Sequence, residues 1–79
     1  MSIINNDVHN PDVKTIYCEV NGNSLFCVRV NRWQFQVTSE LANGISNEYI
    51  LSLDETEKWL NEMYDTDAIY EAKTSRCVV

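Results

Sequence analysis

From Val13 to Thr38 the chain alternates apolar and polar side chains with a period of two, and this limits the fold more than any other feature: it asks for half-buried strands. Ile16, Cys18 and Val20 point one way and Thr15, Tyr17 and Glu19 the other. Phe26, Val28 and Val30 then alternate with Cys27 and Arg29, and Trp33, Phe35 and Val37 with Gln34, Gln36 and Thr38. Turn length sets the register. A three-residue loop ending in Gly22 places Cys18 opposite Ser24 and Ile16 opposite Phe26, so that the larger apolar sets share a face. A two-residue Asn21-Gly22 loop instead pairs Ile16 with Cys27 and turns Phe26, Val28 and Val30 away. The longer, bulged turn is therefore the expectation. At the second hairpin a two-residue Asn31-Arg32 loop pairs Val30 with Trp33, Val28 with Phe35 and Phe26 with Val37, completing an antiparallel meander with one apolar face.

Ser39 to Gly44 reads as a connector, with room for a single helical turn stopped at Asn43-Gly44. The β-type residues around Tyr49, Ile50 and Leu51 suggest a further strand. Ser52-Leu53-Asp54-Glu55 matches a capping box: the Ser52 hydroxyl accepts from the Glu55 amide and the Glu55 carboxylate returns to the Ser52 amide. A helix from Leu53 to about Tyr64 follows, carrying Leu53, Thr56, Leu60, Met63 and Tyr64 on one stripe, with Trp59 and Glu57 at its borders. Laid over the meander it gives an α+β fold of three to five antiparallel strands with one amphipathic helix packed on one face. Ala68 to Val79 fits a last strand or a short helix capped by Asp67, and the ending Cys77-Val78-Val79 favours strand. Residues 1–12, rich in Asn and Asp and closed by Asn10-Pro11-Asp12, read as a flexible polar arm ahead of a single domain over 13–79.

At 79 residues such a chain buries roughly 60% of its unfolded surface, enough for one thin core and too little for a deep substrate cavity. With 44% hydrophobic residues, 2 Gly and 1 Pro, it has too much to bury to be a disordered acidic tail. No apolar run reaches the ~18 residues that span a bilayer, and the opening Met1-Ser2-Ile3-Ile4-Asn5-Asn6 lacks the basic and apolar stretches of a secretory signal, so a cytoplasmic location is expected. Cys77 lies one position too near the end for a prenylation box.

The residues offer little for catalysis. Cys18, Cys27 and Cys77 form no paired knuckle and His9 is the only histidine, so neither a metal centre nor any other cofactor is expected. Buried free thiols in a reducing compartment are the plainer reading. No Ser-His-acid or Cys-His set can be assembled around a histidine in the arm, and Gly22 and Gly44 are isolated turn glycines, with no phosphate loop. The expectation is a protein that is not an enzyme.

Charge is the feature left to explain. The net charge is -6, from 12 acids and 6 bases. Asp54 to Glu71 alone contains seven acids, Asp54, Glu55, Glu57, Glu62, Asp65, Asp67 and Glu71, against Lys58, so it carries the whole excess, 7 - 1 = 6. Asp54 and Glu62 each stand four residues from Lys58. Acids in a first helical turn are favoured by the macrodipole, which accounts for Asp54 and Glu55. Glu62, Asp65, Asp67 and Glu71 lie at or beyond the helix C-terminus, where negative charge is disfavoured. A row of carboxylates can compete with phosphates for a basic groove and steer association, so Asp54, Glu55, Glu62, Asp65, Asp67 and Glu71 are the expected partner-binding residues. Direct binding to nucleic acid or an anionic membrane is not expected.

A small acidic domain of meander plus helix, with Asp54 to Glu71 as its charged edge, resembles the phage-encoded inhibitors of host defence and transcription machinery, including anti-CRISPR proteins. The resemblance is one of size, charge and layout. It implies stoichiometric binding to a basic, nucleic-acid-handling surface of a protein or nucleoprotein partner in the host cytoplasm. Two other readings stand beside it: an interaction module, such as an antitoxin or regulatory subunit, that uses exposed aromatics such as Tyr17, Tyr49 or Tyr70; and a small redox protein or enzyme working through Cys77.

Overall fold

The computed structural model describes residues 3–74. The expectations for Cys77 and for the end of the chain therefore lie outside the described residues. Two helices and five strands follow in the order α1 (Ile3–Val8), β1 (Val13–Val20), β2 (Asn23–Asn31), β3 (Gln34–Glu40), β4 (Ser46–Ser52), α2 (Leu53–Met63) and β5 (Ile69–Thr74). All pairings are antiparallel, in the spatial order β4-β3-β2-β1-β5. The fold is α+β, with α2 crossing one face of an open sheet from the β4 edge to the β5 edge. None of the described helices is long and apolar enough to cross a membrane.

The register of the first hairpin differs from the sequence expectation. Val20 pairs with Asn23, Cys18 with Leu25 and Ile16 with Cys27, around a two-residue Asn21-Gly22 turn. Both turn residues adopt positive φ, 54° and 85°, as the mirror-image turns that match strand twist require. The covered face is therefore built from Ile16, Cys18, Leu25, Cys27, Phe35 and Val37, each buried, while Phe26, Val28 and Val30 turn outward. The second hairpin shifts with it. Arg29 pairs with Phe35, Cys27 with Val37 and Asn31 with Gln34, with an irregularity between Arg29 and Asn31, so the turn falls at Arg32-Trp33 and Trp33 is 68% exposed rather than in the core. Asn31 holds this turn, its Oδ1 accepting the Trp33 amide at 2.8 Å and its Nδ2 donating to Gln34 at 2.9 Å.

At the first turn a Cβ on Gly22 would stand 3.1 Å from the Cβ of Ala42. Gly22→Ala should cost about 1–3 kcal/mol, because it adds that contact to a left-handed backbone. Urea denaturation checks this, and an unchanged midpoint would contradict the two-residue turn. Residues 41–45 make a hairpin turn in place of the expected helical one: the Leu41 amide donates to Ile45 O at 2.8 Å and the Gly44 amide to Leu41 O at 2.9 Å.

The helix α2 begins where its signals placed it. The Ser52 hydroxyl accepts from the Glu55 amide at 3.2 Å, and the Glu55 carboxylate returns to that hydroxyl at 3.4 Å rather than to the Ser52 amide. Thr56 and Leu60 are fully buried under the stripe, with Leu53, Trp59 and Met63 packed at its margins. Thr56 satisfies its buried hydroxyl on Ser52 O at 2.8 Å. After Tyr64 the Asp65 carboxylate caps the turn, accepting the Asp67 amide at 2.9 Å. The chain then enters β5 on the far side of β1, where Tyr70 and Ala72 face the core and Ile69 and Glu71 face out.

Residues 3–12 differ from the expected loose arm. Ile4 and Val8, one helical turn apart, are buried against the core, so residues 3–8 form a short helix that closes the end of the sheet beside α2. Arg29 straps the following segment down. Its guanidinium donates to Val8 O at 2.7 Å, Asn10 O at 3.0 Å and Val13 O at 2.8 Å and lies 4.5 Å over the Phe35 ring.

Candidate functional site

The strands run between two ends that differ in charge. The Asn21-Gly22 turn, the 41–45 turn and the loop from α2 to β5 share one end, because Ile69 pairs with Glu19 and Ser24 with Glu40. Glu19 and Glu40 lie there, with Asp65 and Asp67 in the loop and Glu62 in the last turn of α2. At the other end Thr15, paired with Val28 and Lys73, lies beside Lys14 and near Arg29 and Arg32. Asp12 and the first turn of α2, with Asp54 and Glu55, stand at this second end too, since Ser52 pairs with Gln34 and the Leu53 amide donates to Trp33 O at 3.1 Å. Bases and acids thus mix there while the acids of the first end stand apart from bases, which the linear charge map did not reveal.

The six carboxylates expected to act together are divided by this geometry. Glu62, Asp65 and Asp67 are exposed and share the acidic end, and among the described residues no cation lies within 4 Å of them. Asp65 also has the local task of stopping the helix. Asp54 and Glu55 sit a helix length away, roughly 16 Å at 1.5 Å per residue. Glu55 belongs to the cap, and Asp54 lies 3.8 Å from the His9 Nε2. Glu71 projects from the opposite side of the sheet, 3.8 Å from the Lys73 ammonium. The pairs of Lys58 with Asp54 and Glu62 do not form within 4 Å among the described residues. Glu19, Glu40 and Glu48 were missed because each stands alone in sequence inside a strand; only the register gathers them.

Among the described residues no element covers the sheet face away from α2. Its middle rung reads Glu71, Tyr17, Phe26, Thr38, Glu48 across the five strands. Two aromatics thus stand between two carboxylates. Phe26 is 43% exposed and Ile50, on the next rung, 55%. The Tyr17 hydroxyl donates to Glu19 at 2.6 Å, which raises its pKa, and this bond holds the ring against the sheet. A depression of about 390 Å³ is lined by Thr15, Tyr17, Phe26, Glu71 and Lys73. Of the other aromatics singled out from sequence, Tyr49 stacks edge-on against Trp59 at 4.9 Å. Tyr70 is half-buried with its hydroxyl donating to Asp7 at 2.7 Å, and burial followed by that bond pushes its pKa up. Tyr70 is therefore part of the core, Tyr17 lies half-buried on the sheet face away from α2, and Tyr49 is 38% exposed.

His9 ends beside α2. Its Nε2 lies 3.1 Å from Glu57 Oε1, while Asn5 Nδ2 donates to Glu57 Oε2 at 2.9 Å. His9, Asp54 and Glu57 bring one ligand atom each within 4.8 Å of one another. The histidine is thus engaged in pinning residues 3–12 to α2 rather than standing in a mobile arm. The Asn5 bond, then the His9 bond, hold the Glu57 carboxyl below its ordinary value of 4.5. A carboxyl whose folded pKa is depressed adds stability above its unfolded pKa and loses it as pH falls through the folded one. Glu57→Gln should therefore flatten the fall in stability on acidification below about pH 4.3. Thermal unfolding measured across that range checks it, and an unaltered acid limb would contradict the assignment.

Cys18 and Cys27 are free and buried. Burial pushes both thiols up, Cys27 to about 12, so neither supplies a thiolate at neutral pH.

No protein-family model matches the chain, and neither curated proteins nor solved structures give a match.

Proposed function

We propose that the chain is a non-enzymatic binding protein, a stoichiometric inhibitor that covers a basic, nucleic-acid-handling surface of a protein partner. One observation carries this reading: the exposed carboxylates of the 64–68 loop and the last turn of α2 share an end of the molecule with Glu19 and Glu40, with no described cation within 4 Å of Glu62, Asp65 or Asp67, while Lys14, Arg29, Arg32 and Lys73 share the other end with Asp12, Asp54 and Glu55. A field organised in this way orients the protein as it approaches a cationic surface and speeds productive encounter. It also repels phosphates, so the complex formed excludes nucleic acid from the covered groove. Charge kept only for solubility has no need of an end where acids stand apart from bases. Inhibitors of host defence complexes, the class the sequence resembles in size and layout, would act in this manner.

Competition with DNA tests the blocking action. A labelled DNA duplex is held by an arginine-rich DNA-binding peptide and the protein is titrated in while anisotropy is read. Release of the duplex as the protein approaches equimolarity with the peptide is expected. Anisotropy that stays constant, or that rises because a ternary complex forms, contradicts the proposal.

A further inference from the structure

We infer that the uncovered face of the sheet is the docking surface, and that its occupant is a basic segment of a partner protein whose apolar side chain seats on Tyr17 and Phe26. This rests on the proposed function and locates the contact that holds the complex together. The register sets the chemistry. Across the middle rung Glu71 and Glu48 stand on the two edge strands with Tyr17, Phe26 and Thr38 between them. Four strand spacings of about 4.8 Å separate the edges, about 19 Å in all. The next rung adds Glu19 and Glu40 opposite Ser24. Among the described residues of these rungs, counting Glu19, Glu40, Glu48 and Glu71 with Lys73, the charge sums to -4 + 1 = -3.

An apolar centre with a charged rim is the ordinary anatomy of a protein interface, and aromatic residues at the centre carry most of its energy. Phe26 at 43% and Ile50 at 55% exposure are apolar side chains that no described element covers. Charge complementarity selects the occupant. A second copy, meeting the first through the same patch as a two-fold dimer must, would set -3 against -3. Nucleic acid meets the same repulsion. A segment with an aliphatic or aromatic side chain flanked by Arg or Lys satisfies both the centre and the rim. The acidic end then steers the partner in, and the sheet face retains it.

The experiment uses the full chain and a fluorescein-labelled peptide alternating Arg and Leu, with an Arg-Ser peptide of equal charge as control. Amide shifts on adding the Arg-Leu peptide should cluster on Tyr17, Phe26, Thr38 and Glu48. Phe26→Ser, an exposed change, should weaken that peptide about tenfold or more through faster dissociation. Glu48→Gln with Glu71→Gln should weaken both peptides. The triple change Glu62→Gln, Asp65→Asn, Asp67→Asn should slow association and leave dissociation unchanged. Circular dichroism confirms that each variant is folded. If shifts fall only on 62–67, or Phe26→Ser binds both peptides as the parent does, the docking face is overturned while the broader proposal of a basic partner stands. If the parent binds neither peptide, that broader proposal fails as well. Self-association through this face, seen as concentration-dependent sedimentation lost in Phe26→Ser, would replace the basic partner with a second copy and overturn the inference.

Discussion

Replacing Phe35 by alanine should bring the protein to the edge of unfolding. The ring is fully buried, it pairs with Leu51 on one side and Arg29 on the other, and the guanidinium of Arg29 lies 4.5 Å above it. Truncation removes the largest fully buried side chain among the described residues and leaves a void that a single-layer core cannot close. The expected cost is about 3–5 kcal/mol, against a total of about 4–12 kcal/mol for a domain of this length. Chemical denaturation followed by tryptophan fluorescence should show the midpoint lost or moved close to zero denaturant. A shift under about 1 kcal/mol would mean that Phe35 does not occupy the centre of the core.

Arg29→Met should detach the N-terminal segment while leaving the sheet folded. Methionine keeps most of the stem but withdraws the donors from the carbonyls of Val8, Asn10 and Val13, of which Asn10 O keeps the Val13 amide at 3.0 Å. A cost of about 2–3 kcal/mol is expected, set by hydrogen bonds from a charged donor. Amide exchange of residues 3–12 should accelerate more than that of β2 and β3. Arg29→Lys should restore only part of the stability, because a single ammonium cannot reproduce a fork that reaches three carbonyls. Exchange accelerating uniformly through the sheet would show that Arg29 supports the core as a whole.

Arg29 also explains where the sequence misled. Leu25, Cys27 and Arg29 share a face, and an arginine in line with core positions argues against that face being covered. Counting apolar bulk favoured Phe26, Val28 and Val30. The turn carried better information: Asn-Gly is the strongest short hairpin signal, and obeying it gives the observed pairing of Ile16 with Cys27. The guanidinium's reach to the backbone of residues 8–13 makes a half-buried arginine on this face tolerable, and that contact is long-range. The N-terminal helix was legible in principle, since Ile4 and Val8 stand four apart, but six residues give too short a run to separate from an arm.

Helix α2 was fully legible because its signals are local: Ser52 and Glu55 at one end, the Thr56-Leu60 stripe within, and an Asx turn at Asp65. The candidate site was legible only in part. Sequence put the acidic excess in one segment, whereas the fold splits that segment among three places and recruits Glu19, Glu40 and Glu48 from strands. Tyr17 was visible as an outward-facing aromatic, although the structure leaves it half-buried. Its neighbour Phe26 was not, because the register that exposes Phe26 is the one that the apolar tally rejected.

The rate of association as a function of salt tests the central claim most directly. Stopped-flow mixing of the protein with the Arg-Leu peptide, from about 50 to about 200 mM NaCl, spans Debye lengths from about 14 to about 7 Å. The parent rate should fall steeply over this range and meet that of the Glu62→Gln, Asp65→Asn, Asp67→Asn variant at the upper end, since steering is screened while docking is not. Parallel rates at every salt concentration, with parent and variant equally fast, would contradict a functional role for the acidic end.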